Sequence, residues 1–178
     1  MERYADIGRN MNITDKYFRL FLREELKPYD LNTAEGTVLL AMYGKSGSTE
    51  KQIFDSIHSR ARMGNTQDEL ICRLHYDKGV MTRTMKALED KGYVKRGPNP
   101  RDSRSYIFSL TEKAIDFKET LIGILREWSD SLLSGLDDET LKTVERALDT
   151  MAENAMQRWH SCCAKNAGGA GKGISINE

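Results

Sequence analysis

A chain of 178 residues, 39% hydrophobic and 30% charged, can bury one domain with helical extensions, and no apolar run approaches the roughly 18 residues of a membrane span. Three cysteines, two of them neighbours (Cys162 and Cys163), exclude a disulfide framework, and the first residues lack the apolar core of a secretion signal, so the expected compartment is the cytoplasm. Net charge is zero, yet residues 45–105 carry 13 Lys/Arg against 8 Asp/Glu and residues 106–178 carry 8 against 12, so a basic middle lies between acidic flanks and a nucleic-acid partner stays open.

Ile13, Tyr17, Leu20, Phe21 and Leu26 recur at helical spacing, and Pro28 ends that first helix. Asn32 followed by Glu35 is a capping box, and Val38, Leu39, Leu40 and Met42 predict a buried second helix closed by Gly44. Thr49 with Gln52 repeats the capping signature, and Ile53, Phe54, Ile57 and Ala61 stripe a short helix that ends near Gly64. Thr66 with Glu69 repeats it again, ahead of Leu70, Ile71 and Leu74. The next segment puts Val80, Met81, Met85 and Leu88 on one face and Lys78, Thr82, Arg83 and Lys86 on the other, and it stops at Gly92. Two short helices joined by a tight turn, the second basic on its outer face, describe a helix-turn-helix.

Tyr93 and Val94 lead into a Gly-Pro-Asn-Pro turn, and beyond it Tyr106, Phe108 and Leu110 alternate with Ile107 and Ser109. This reads as a β-hairpin whose loop carries Arg101 and Arg104. Thr111 caps a long helix with Ala114, Phe117, Leu121, Leu125, Trp128 and Leu132 on one side, and Gly135 breaks it. A last helix carries Leu141, Val144, Leu148, Met151, Ala155 and Trp159, and the glycine-rich stretch from Ala164 is predicted to be flexible. The expected class is mainly α, a winged helix-turn-helix with a two-stranded β wing and further long helices.

This order of elements points to double-stranded DNA. An α-helix fits the major groove, where base edges expose a readable pattern of donors and acceptors. Gly79 and Thr82 let the backbone come close, Arg83 can pair bidentately with guanine, and Lys86 can reach a phosphate or a base edge. An arginine at the tip of the hairpin can enter the narrow minor groove beside that helix. The expected contacts are therefore Lys78, Gly79, Thr82, Arg83, Lys86, Arg101 and Arg104. The rival reading is a winged-helix module that binds a protein instead; a protein-binding face would be more apolar or mixed than Lys78, Arg83, Lys86, Arg101 and Arg104 together.

The run from Asp77 to Ala114 carries Thr82-Arg83 inside the second helix and Leu88-Glu89 near its end. It continues with Asn99-Pro100-Arg101-Asp102-Ser103-Arg104 in the loop and Leu110-Thr111 after it. In these motifs the chain resembles the MarR family of winged-helix transcriptional regulators, over roughly residues 13–160. The resemblance implies an obligate homodimer on a near-palindromic site, and a repressor released by a small aromatic ligand. It implies that Asp102 orients the wing, and it suggests Tyr17, Phe21, Tyr29 and Met42 as candidate pocket residues. It divides the chain into a dimerisation helix (1–30), a DNA-binding lobe (31–111, with an inserted helix at about 49–63), dimerisation helices (112–163) and a tail (164–178). The inserted helix, with His58, Arg60 and Arg62 on its outer side, departs from the family pattern. So does Gly79, where many members have Ser or Thr.

Cys72 reads as an inert thiol, and Cys162-Cys163 beside His160 is too crowded for a tetrahedral metal site. Phosphate-loop, zinc-protease and nucleophile-elbow motifs are absent, so no metal, no cofactor and no enzymatic activity are expected.

Overall fold

The computed structural model describes the backbone of residues 2–44, 65–100, 102 and 104–169, and the side chains of these from residue 6 to residue 159. The predicted helix at 49–63, Arg101, and the side chains of His160, Cys162 and Cys163 lie outside the described residues. The chain forms two compact units, Met1–Ser129 and Asp130–Glu178.

In the first unit, α1 (Glu2–Leu26) begins well before the apolar stripe that announced it. The stripe divides. Leu26 is buried and Phe21 packs against the core, joined there by Leu22 and Phe18 from outside the stripe, whereas Ile13 and Tyr17 stay exposed at 45% and 56%. A 3-10 turn, Lys27–Tyr29, carries Pro28, and Asp30 closes it in the left-handed region. In α2 (Thr33–Tyr43) the capping box forms as expected: Glu35 N donates to Asn32 Oδ1 (2.9 Å), and Asn32 N donates to Glu35 Oε2 (2.8 Å). Gly36 is where α1 crosses α2, since a Cβ there would lie 2.6 Å from Leu26 Cδ1. Tyr43, at the other end, donates its buried hydroxyl to the Ala114 carbonyl (2.5 Å).

A two-residue strand, β1 (Asn65–Thr66), leads into α3 (Gln67–Leu74), whose Thr66–Glu69 capping box is also complete. His75 turns the chain with φ 52°, and Asp77 caps α4 (Lys78–Asp90) by accepting from Val80 N (2.8 Å). Strands β2 (Val94–Pro98) and β3 (Tyr106–Leu110) pair antiparallel from Val94↔Leu110 to Pro98↔Tyr106. Among the described residues the sheet has three strands where sequence predicted two. β1 pairs with the free edge of β3 (Asn65↔Phe108, Thr66↔Ile107), giving the order β1-β3-β2. Thr111 then caps α5 (Glu112–Leu133), its hydroxyl accepting from Ala114 N and donating to the Gly92 carbonyl. Leu26, Leu39, Leu70, Met81, Leu88 and Leu121, all with no measurable exposure, form one core beneath these elements.

The second unit holds the end of α5 and α6 (Asp138–Gly169). Gly135, at φ +85°, supplies the break, and Asp137 caps α6 by accepting from Thr140 N (2.8 Å). That amide holds the Asp137 carboxyl below its ordinary pKa. The α6 backbone runs on to Gly169, past Ala164, where the sequence placed the start of the tail.

Candidate nucleic-acid interface

The inward face of α4 is Met81, Thr84, Met85 and Leu88, spaced at three and four, which seats the helix against the core. Val80, expected among them, is only half buried, and Thr84 takes the remaining inward position. Lys78, Gly79, Thr82, Arg83 and Lys86 are all exposed on the opposite side, as the spacing requires. Among the described residues, Lys78, Arg83 and Lys86 enter no salt bridge, so their charges are free for an external partner. The acidic residues of α4, Glu89 and Asp90, sit in its last turn, beyond Lys78, Arg83 and Lys86 in the chain.

Two of the outward residues are tied down. The Thr82 hydroxyl donates to the Lys78 carbonyl one turn back (2.7 Å) and accepts from Gln67 Nε2 (2.6 Å). Gly79 leaves the first turn narrow: a Cβ there would meet Asp77 Oδ1 at 3.1 Å and the Arg83 guanidinium at 3.6 Å. The Ser or Thr common at this position would press on the Asp77 cap and lie in ordinary contact with Arg83.

The wing loop is held by its own backbone. Asp102 N donates to the Asn99 carbonyl, Ser105 N donates to the Asp102 carbonyl, and Asn99 Nδ2 donates to Ser105 Oγ (2.8 Å). Asp102 Oδ1 accepts from Arg104 N (3.0 Å). The contact between this aspartate and the wing arginine therefore runs through the backbone amide, and the Arg104 side chain remains exposed.

Arg96 is a cation that sequence reading did not single out. It leaves β2 and lies 3.4 Å from the centre of the Tyr106 ring on β3, a cation–π pair that holds the guanidinium flat on the wing. Thr82, Lys86, Arg96, Ser105 and Tyr106 line one groove of about 580 Å³ between α4, the start of α3 and the wing, with the carboxylates Asp68, Glu89 and Asp90 also on its wall. Its signal in the sequence was the two-residue offset of Pro98↔Tyr106 from Arg96, legible only once the register was known.

The expected pocket residues each have their own surroundings. Met42 is in the core, and Phe21 packs on Trp128 (5.4 Å between ring centres). Tyr29 packs on Phe117 (4.7 Å), and Tyr17 is exposed on α1. Cys72 is exposed on α3, and the described residues hold no group of three or more His, Cys, Asp or Glu that could bind a metal. No helix among them is long and apolar enough to cross a membrane.

The MarR family model matches residues 49–106, the span that contains this helix-turn-helix and most of the wing. The HTH-type transcriptional regulator BilQ of Clostridium symbiosum (strain WAL-14163) is 26% identical over 121 residues, 68% of this chain and 83% of that protein. The crystal structure of a MarR transcriptional regulator from Methanosarcina mazei Go1 superposes with a TM-score of 0.72 at 26% identity, covering 86% of this chain and 98% of that one. The chain carries a MarR family domain at residues 49–106. The relatives and structures that match most of its length are transcriptional regulators, which are not enzymes. A mutant MarR from E. coli complexed with operator DNA is also similar, at 25% identity and a TM-score of 0.64, covering 84% of this chain and 95% of that one.

Proposed function

We propose that this regulator is a homodimeric, sequence-specific repressor that binds double-stranded DNA in the cytoplasm at a near-palindromic operator. One observation carries the reading. Thr82 and Lys86 from α4 and Arg96 and Tyr106 from the wing line a single groove, so the helix face and the wing offer their cations to the same side. A duplex is the one common polymer that presents a major groove, a minor groove and a phosphate line to such a surface at once. The likeness to E. coli MarR, a neighbour seen with operator DNA, supports it. Lys78, Arg83 and Lys86 act from the helix, Arg101 and Arg104 from the wing, and Asp102 holds the wing loop in shape.

The dimer is supported in each unit separately. Ile7, Met11, Ile13 and Tyr17 expose apolar surface along α1. Leu133, Leu141, Val144 and Leu148 line an apolar groove of about 440 Å³ in the second unit. Two reading heads then face successive major grooves about 10 bp apart. Release by a small aromatic ligand follows the family pattern.

Fluorescence anisotropy on duplexes enriched from a random pool tests the core of the proposal. The wild type should prefer the enriched duplex over a scrambled one. Arg83→Ala should lose about 1–3 kcal/mol of that preference. Affinity should fall steeply with salt as counterions are released. Equal affinity for enriched and scrambled duplex overturns the reading.

A further inference from the structure

We propose that Thr82 reads DNA through its methyl group, as a detector of the thymine C5-methyl, and that Gln67 is the positioning residue that holds it in that role. The inference rests on the DNA-binding reading above and deepens it. A hydroxyl has one proton, and Thr82 gives it to the Lys78 carbonyl on its own helix. The same oxygen accepts the amide of Gln67, the first residue of α3. With its proton committed, Thr82 cannot donate to the guanine N7 or O6, the adenine N7 or the thymine O4, which are the acceptors of the major groove. The oxygen bonds to its own backbone and to the neighbouring helix, yet the residue is exposed. The group left without a polar partner is Cγ2, and apolar contact with a threonine methyl is one of the ways a thymine is told from a cytosine.

Gln67 matters because a threonine in a helix divides between two χ1 rotamers, depending on whether Oγ1 bonds back along the helix. The Gln67 amide is a second anchor on the back-bonded rotamer, delivered from the N-terminus of a helix that is itself started by Thr66 and Glu69. Both residues line the same groove, so the anchor sits beside the reading position without covering it.

The experiment replaces each thymine of the enriched duplex in turn with deoxyuridine, which lacks only the methyl group. At one position per half-site the wild type should lose about fourfold in affinity, the value of one buried methyl at roughly 0.8 kcal/mol. Thr82→Val keeps a methyl without the hydroxyl and should still bind the thymine duplex more tightly than the deoxyuridine one. Thr82→Ser and Thr82→Ala should bind both duplexes alike at that position. Gln67→Ala should reduce the thymine preference in the wild-type background and be silent in a Thr82→Val background, where there is no hydroxyl to hold. Thermal melts of each variant confirm folding at these exposed sites. An enriched duplex whose thymines all tolerate deoxyuridine, or a Thr82→Val variant that fails like Thr82→Ala, overturns this inference and leaves the DNA-binding reading standing. A chain that prefers no duplex overturns both.

Discussion

Tyr43 shows how one buried hydroxyl connects elements distant in sequence, since it leaves α2 and donates to the Ala114 carbonyl at the start of α5. Burial pushes its phenol well above the ordinary value near 10, because the ionised form would lose its water, and Tyr93 is raised for the same first reason. The folded pKa is raised, so the stabilisation is intact below about pH 10 and is lost as pH climbs beyond it. Tyr43→Phe should cost about 1 kcal/mol at neutral pH. The fall in melting temperature between pH 9 and 11 should also be shallower in the variant than in the wild type; an unchanged alkaline slope would refute the assignment. At this scale the sequence showed the outward cations Lys78, Arg83 and Lys86 from spacing alone, because a helix that buries Met81, Met85 and Leu88 has little choice about what it exposes. It did not show Arg96, whose place depends on a partner ring across the hairpin.

Among the elements, the cap signals were the most legible part of the chain. Asn32 with Glu35 and Thr66 with Glu69 were visible as spacings, and each forms both of its reciprocal hydrogen bonds. Those motifs are local, so no tertiary context is needed to find them. The strand β1 was illegible for the opposite reason: two residues have no periodicity, and its pairing with β3 is a long-range choice. The same holds for the link between α2 and the end of α4. Lys91 Nζ, a quarter exposed, reaches both carboxylate oxygens of the buried Glu35 (2.9 and 3.1 Å) and the Asp30 carbonyl (2.6 Å). Glu35 thus serves as a cap for α2 and as the counter-charge for Lys91, which follows the last residue of α4. Removing Lys91 leaves that carboxylate buried without its cation, so Lys91→Ala should destabilise by about 3 kcal/mol. The double variant Glu35→Gln/Lys91→Met should recover part of the loss in urea unfolding. If Lys91→Ala melts like the wild type, the pair contributes no stability.

For the molecule as a whole, the proposed dimer needs apolar surface that the fold of one chain leaves uncovered. The outward half of the α1 stripe, Ile13 and Tyr17, is apolar surface that a lone chain leaves in water. A charge there should therefore separate dimerisation from folding: Ile13→Glu with Tyr17→Glu should keep the helical signal but shift sedimentation from dimer to monomer. Affinity for a two-half-site duplex should fall far more than affinity for a single half-site. A variant that stays dimeric would move the association surface elsewhere. The mainly helical class, the helix-turn-helix and the hairpin were all readable beforehand because each has its own period and its own stop signal. The outward half of α1 was not, since periodicity gives the side a stripe lies on but not which part of it meets the core.

The small strand before α3 joins parts that would otherwise be separate. Thr66 pairs with Ile107 of the wing, starts α3 with its hydroxyl, and is followed directly by Gln67, which grips Thr82. The wing and Thr82 are therefore linked through two consecutive residues, Thr66 and Gln67. A chimera that imports only the hairpin of a relative should inherit a misaligned reader, and one that also imports residues 65–67 should restore it.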